Sequence, residues 1–130
     1  MYPSRTVTVA VDRPLQRVYA FLADPTNIPR WTQIPVSEWQ QVSSHVWQTA
    51  AIRIRFTPPN RFGILDIVVE NGPHGTQALP ARVYANGQGC EIAVTLFRQE
   101  GMSAELFESE CAWIEADLQV LKTYLESLEA

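Results

Sequence analysis

The sequence predicts an α+β domain in which a curved antiparallel sheet of about 6–7 strands wraps around one long C-terminal helix, with two short helices after the first strand. Between Arg5 and Arg98, almost everything outside an early helical stretch reads as short strands. From Ser103 to Leu128, apolar residues recur at steps of three or four, which places them on one stripe of a helix. So long a stripe must be covered, and the sheet is the element available to cover it. The stripe consists of Phe107, Cys111, Ile114, Leu118, Leu121, Leu125 and Leu128.

Composition and charge indicate one globular domain spanning residues 1–130. Hydrophobic residues make up 46% and charged residues 18% of the chain, which is enough apolar material for a core without disulfides or metals. The net charge is −4, and from Glu100 onward eight acidic residues stand against one basic residue, Lys122. No stretch combines Lys and Arg clusters with exposed aromatic residues, so we expect no nucleic-acid partner.

We expect neither a targeting segment nor a membrane span. Met1 to Arg5 lead straight into a strand pattern, and no apolar run approaches the roughly 18 residues of a membrane span. We therefore expect a cytoplasmic protein. Cys90 and Cys111 lie far apart within apolar patterns, which favours buried free thiols, and neither has the Cys or His neighbours of a metal site.

The first third of the chain predicts one strand and two short helices. Residues 5–12 alternate as in a half-buried strand. Asp12 and Pro14 then begin a helix with a buried face of Leu15, Val18, Phe21 and Leu22. Asp24 is the N-cap of a second short helix, with Pro25 at its first position and Trp31 at its end.

Strands joined by tight turns follow between Val36 and Arg98. Turn residues occur at Ser43-Ser44, at Pro58-Pro59-Asn60, from Asn71 to Gly75 and at Asn86-Gly87. Two-residue loops at Pro59-Asn60 and Asn86-Gly87 predict four cross-strand pairs: Ile54 with Leu65, Arg53 with Asp66, Val83 with Cys90, and Arg82 with Glu91.

This register separates two faces of the sheet. One face is aliphatic and must meet the long helix, since a slip of one residue would turn all of its side chains outward. The opposite face carries a charged row of Arg53, Asp66, Arg82 and Glu91. Pro80 cannot donate to a ladder and therefore marks a bulge or an edge.

The order of a strand, two short helices, an antiparallel meander and a long C-terminal helix resembles the helix-grip fold of the START/Bet v 1-like (SRPBCC) superfamily. The likeness rests on Val7 to Asp12, on the run from Pro14 to Pro25, and on Trp31. Residues 62–66, 95–98 and 117–122 look like small bacterial members labelled polyketide cyclase/dehydrase-like. The resemblance implies a hydrophobic cavity between the sheet and the long helix. It singles out no activity, because the superfamily spans lipid carriers, aromatase/cyclases, chaperone activators and plant allergens.

Asp66 is the main catalytic candidate, because it is a carboxylate inside the apolar run from Ile64 to Val69. A poorly solvated site would raise its pKa and suit it to general acid–base work. In the alternative interpretation it points away from the helix and pairs with Arg53 and Arg82, at about 0.2–1 kcal/mol for each pair. Its alternation with Leu65 and Ile67 favours this second interpretation.

Other chemistry-bearing patterns are absent or weak. His45 and His74 fall in predicted turns, without neighbours that would form a triad or a metal site. Nucleophile elbows, His-Glu metal motifs and Walker sequences do not occur. We therefore expect neither a metal nor a cofactor.

The favoured hypothesis is binding of a small hydrophobic, lipid- or polyketide-like molecule between the sheet and the 103–128 helix. The first alternative is a polyketide cyclase/dehydratase-type enzyme with Asp66 as acid or base, and whether the protein is an enzyme stays open. The second alternative is an interaction module that uses the charged sheet face, which would allow a homodimer. The predicted ligand-binding residues are Trp31, Ile54, Phe56, Leu65, Ile67, Arg82, Val83, Tyr84, Ile92, Val94, Ile114 and Leu118.

Overall fold

The computed structural model of the protein describes residues 1–72 and 75–128. The chain forms strand β1 (Ser4–Val11), helix α1 (Leu15–Leu22), a 3-10 turn (Pro25–Asn27), helix α2 (Ile28–Trp31) and a second 3-10 turn (Val36–Glu38). Seven further strands follow, and the C-terminal helix α3 (Ala104–Ser127) closes the chain. The strands are β2 (Gln40–Ser43), β3 (Val46–Gln48), β4 (Arg53–Phe56), β5 (Ile67–Gly72), β6 (Gly75–Leu79), β7 (Ala81–Asn86) and β8 (Gly89–Phe97). The described strands thus number eight rather than 6–7, and the predicted turn at His74 lies outside the described residues.

The strands form two antiparallel sheets that meet at Pro80. One sheet has the order β1-β8-β7, and the other has the order β2-β3-β4-β5-β6. Pro80 lies between β6 and β7, where the chain passes from the larger sheet into the smaller one. Its carbonyl oxygen still accepts a hydrogen bond from the Thr95 amide at 2.9 Å. The missing N–H of proline therefore coincides with the change of partner strand.

Two predicted registers are wrong. Ile54 pairs with Val69 and Arg53 with Glu70, because residues 57–66 form a long loop instead of a two-residue hairpin. The Asn60 carboxamide organises this loop, since its Oδ1 accepts from the amides of Phe62 and Ile64 at 3.0 and 3.1 Å.

In the second hairpin the turn lies one residue later than predicted, at Gly87-Gln88. Val83 therefore pairs with Ile92 instead of Cys90, and Arg82 pairs with Ala93 instead of Glu91. Both register errors shift a partner by an even number of residues. The predicted faces survive for that reason: Ile54, Val83, Cys90, Ile92 and Leu96 are all buried.

Helix α3 forms as predicted. The Ser103 side chain caps it by accepting from the Leu106 amide at 3.1 Å, and Glu105 lies in its first turn. Five stripe residues are buried, namely Phe107, Cys111, Leu118, Leu121 and Leu125, while Leu128 is 37% exposed. They pack with Val7, Val9, Val11, Val18, Val83 and Ile92 in the main core.

Polar contacts attach α3 to β1 along its length. Arg5 forms an ion pair with Glu108, and the Lys122 ammonium donates to the Ala10 carbonyl oxygen at 2.7 Å. Glu126 accepts from the Asp12 amide at 2.8 Å. Among residues 1–72 and 75–128, no helix is both long and apolar enough to cross a membrane.

Candidate functional site

An apolar cavity of about 140 Å³ lies between the two sheets and helices α2 and α3. Alternating residues of β4 and β8 face it, together with Ile67 of β5, because one side of each strand is turned toward α3. Helices α1 and α2 and the turn between them close one side with Leu22, Ala23, Ile28 and Trp31. The other lining residues are Ile54, Phe56, Thr57, Leu65, Ile67, Leu79, Ala81, Ile92, Val94, Ile114, Leu118 and Leu121.

The lining offers almost no polar group. Among these lining residues, Thr57 has the one hydroxyl, and this hydroxyl donates to the Asp66 carbonyl oxygen at 2.6 Å. Cavities with such walls exclude water, because a buried water needs two to four polar partners. The space suits an apolar guest.

Nine of the twelve predicted ligand-binding residues line this cavity. The three exceptions are Val83, Arg82 and Tyr84. Val83 is on the inward face but is buried in the core, where α1 packs over β7. Arg82 and Tyr84 alternate with it and point outward, and Tyr84 is 48% exposed. They do not line the cavity, because period-2 alternation turns them to the opposite face, and their part in ligand binding stays a prediction.

Asp66 also lies outside the cavity wall. Its Oδ1 accepts from the Ala81 amide at 2.8 Å and forms an ion pair with Arg82, and its side chain is 40% exposed. The predicted pairing with Arg82 is therefore present. Arg53, the other predicted partner, donates instead to the Gln48 Oε1 at 3.1 Å. The four-residue charged row does not form as such, because the first hairpin has a different register.

Asp117 is a half-buried carboxylate that sequence reasoning missed. It follows Ile114 by three residues and precedes Leu121 by four, so its Cβ neighbours two cavity-lining side chains on α3. Desolvation by burial raises the pKa of Asp117 above its ordinary value of 3.8. The signal in the sequence was its phase on the helix, one position before the stripe residue Leu118.

Solved structures with this architecture include a START superfamily protein from Mycobacterium smegmatis, with a TM-score of 0.73 at 11% identity over 97% of this chain and 99% of that one. CalU16 from Micromonospora echinospora has a TM-score of 0.72 at 15% identity, over 98% of this chain and 76% of that one. Ara h 8.0201 has a TM-score of 0.69 at 10% identity, over 98% of this chain and 100% of that one. The chain shares the helix-grip fold of these structures. No protein-family model and no curated protein matches the sequence.

In this helix-grip domain an aromatic cluster supports the cavity wall from outside. The buried Trp39 ring stacks on Trp47, with ring centroids 5.5 Å apart, and meets Phe56 edge-on at 6.2 Å. Phe56 in turn lines the cavity. The Trp39 indole N–H also donates to the Pro25 carbonyl oxygen at 2.8 Å, which fixes the turn before α2 to the larger sheet.

Proposed function

We propose that this helix-grip protein binds a compact hydrophobic molecule of about single-ring size in the cavity between its sheets and α3. The observation that carries the proposal is the combination of an apolar lining with a volume of about 140 Å³. For comparison, an engineered cavity of about 150 Å³ lined by Leu, Ile and Phe stays dry and binds benzene.

The volume also limits the ligand. Typical small-molecule pockets measure about 300–1,000 Å³, so a whole lipid or a folded polyketide chain exceeds the space present here. Such a molecule would place only its apolar end between Trp31 and Leu118 unless the helices moved apart. A single-ring guest fits the cavity as it stands.

The expected affinity is modest. Burying an aromatic ring removes about 150–250 Å² from water, worth roughly 4–6 kcal/mol at 25 cal/mol per Å². The loss of translational freedom on binding offsets part of this gain. Dissociation constants in the high-micromolar to millimolar range follow for a guest held by apolar contacts alone.

Titration with ethylbenzene, followed by NMR chemical shifts of the lining methyl groups, tests the proposal. Ile54 is 6% exposed and lines the cavity, so Ile54→Trp should fill the space and abolish binding. Val42→Trp is the matched control, because Val42 is 46% exposed on β2 and lies outside the cavity. Wild type and the control should bind alike. Failure of the wild type to bind, or equal binding by Ile54→Trp, would show the proposal to be wrong.

The two alternatives find less support in the geometry. Enzymatic proton transfer by Asp66 requires that carboxylate at the cavity, whereas it pairs with Arg82 on the outer side of the sheet. An interaction module on the charged face would use charged side chains such as Asp66, Arg82, Glu70 and Arg55. These side chains already pair with one another within the chain, as Asp66–Arg82 and Glu70–Arg55. Native mass spectrometry of the protein as purified would show any retained ligand and the oligomeric state together.

A further inference from the structure

The flank of α3 that bears Asp117 faces the two N-terminal helices. Tyr124, two turns further along the same flank, contacts Phe21 of α1 with ring centroids 5.3 Å apart. Val120 and Tyr124 share a surface groove with Arg30 of α2. Trp31, the next residue of α2, lines the cavity. Asp117 is not itself a lining residue, but helix geometry places it next to the lining residues Ile114 and Leu121, at the rim of the cavity on the side where α2 approaches α3.

The exposure of neighbouring residues fits a position at the rim. Leu118 and Leu121 are buried, with exposed fractions of 2% and 0%. On the far side of the helix flank, Trp113 and Val120 are 57% and 52% exposed. Asp117 lies between these two groups and is itself half-buried.

Asp117 has no hydrogen-bond or ion-pair partner among the residues that the structure describes. Two other half-buried carboxylates of the chain are paired: Glu70 with Arg55, and Glu126 with Lys122 at 2.8 Å. The one cation of α2, Arg30, donates its Nε–H to the Asn27 Oδ1 at 3.1 Å. The raised pKa of Asp117 agrees with a carboxylate that loses hydration without gaining a partner.

We infer that Asp117 is the polar anchor of the cavity and that the ligand is a small hydrophobic amine, whose ammonium pairs with this carboxylate while its apolar body fills the space. This inference rests on the proposed function. An ammonium restores the favourable interactions that the half-buried carboxylate lost on folding, and charge-assisted hydrogen bonds are about twice as strong as neutral ones. An acidic ligand would place two negative charges at the rim and is excluded by the same argument.

The experiment uses a matched pair of probes on the whole chain. Ethylbenzene and benzylamine have nearly the same shape, and they differ by a methyl group in place of an ammonium. Dissociation constants for both are measured by NMR titration at neutral pH with wild type, Asp117→Asn and Glu115→Gln. The last variant removes the same charge from the opposite flank of α3, so it controls for the general attraction of an acidic protein to a cation.

The expected result is specific to one probe and one variant. Asp117→Asn should weaken benzylamine binding by about tenfold or more and leave ethylbenzene binding unchanged. Glu115→Gln should change benzylamine binding by less than about twofold, since exposed charges at a distance are screened.

Three other outcomes overturn the inference in distinguishable ways. Ethylbenzene binding without any effect of Asp117→Asn on benzylamine would reject the anchor and leave the proposed function standing. Equal weakening by Asp117→Asn and Glu115→Gln would reduce Asp117 to one charge among many. Absence of binding by both probes to the wild type would reject the anchor together with the proposed function.

Discussion

The indole N–H of Trp39 donates a hydrogen bond of 2.8 Å to the carbonyl oxygen of Pro25, which joins the start of the larger sheet to the turn before α2. Pro25 follows Asp24, whose side chain caps the turn by accepting from the Thr26 amide at 3.0 Å. Ile28 and Trp31 lie directly after this turn and line the cavity. The hydrogen bond thus attaches the turn before these two residues to Trp39, which packs behind the lining residue Phe56.

Trp39→Phe should lower the free energy of unfolding by about 1–3 kcal/mol, because the Pro25 carbonyl loses its partner in a half-buried place. Denaturant unfolding measures the change. Trp47→Phe is the control, since it replaces the indole that stacks on Trp39 by a smaller ring without removing a described hydrogen bond. An equal loss in the two variants would assign the effect to ring packing instead of to the hydrogen bond.

Asp117→Asn should stabilise the protein relative to wild type, and the gain should depend on pH. The folded-state pKa of Asp117 is raised, so the native chain binds its proton more tightly than the unfolded chain does. The contribution of Asp117 to the stability of the wild type therefore falls as pH rises from below 3.8 through the folded-state value. The variant lacks this dependence. Unfolding at pH 3 and pH 7 should show a larger difference between the two proteins at pH 7, and an equal difference would contradict the desolvation of Asp117.

Gly63→Ala should be strongly destabilising, by about 2–4 kcal/mol. Gly63 has a φ of +71°, and a Cβ there would lie 2.1 Å from the Val83 carbonyl oxygen. The Gly63 carbonyl also accepts from the Val83 amide at 3.0 Å, so the loop cannot move away without losing this bond.

Gly87→Ala separates the two causes in that prediction. Gly87 has a φ of +58°, and a Cβ added there would have no neighbouring atom within 4 Å, so its substitution costs only the left-handed strain of about 1–2 kcal/mol. If thermal unfolding shows the same loss for both variants, the close approach to Val83 has no role.

Asp66→Asn should lower the free energy of unfolding by less than about 1 kcal/mol. The side chains of Asp66 and Arg82 are 40% and 45% exposed, and the side-chain oxygen of the new Asn can still accept from the backbone N–H of Ala81. Ethylbenzene and benzylamine should bind to it as to the wild type. A loss of binding in a folded Asp66→Asn protein would instead move the polar site to the outer face of the sheet.

Local signals in the sequence were sufficient to predict where the helices and strands lie and which side of each one is buried. Ser103 begins α3, Asp24 and Pro25 begin the turn before α2, and strand alternation separates inward Val83 from outward Tyr84. The register was not available from such signals. Pro58-Pro59-Asn60 resembles a hairpin turn, yet Asn60 instead folds a longer loop whose Leu65 amide donates to the Ala81 carbonyl oxygen at 2.9 Å.

Most of the cavity lining could be predicted because it follows from the inward phase of the strands and of α3. The pairing of Arg82 with Asp66 was predicted as well, whereas the partner of Arg53 could not be predicted, since it depends on the register of the first hairpin. The position of Asp117 beside Ile114 and Leu121 could be read from the helix period, but its partial burial could not, because that depends on how distant segments pack around α3.

By itself, the sequence determined the order of the elements, the buried faces and the presence of a long helix in need of an apolar cover, because periodicity and capping act over a few residues. Only the tertiary structure decided which strands pair, how much space remains beneath α3, and which carboxylate lies at its rim without a partner among the described residues. These properties depend on distances between segments that are far apart in the chain, and local patterns of polarity carry no information about such distances.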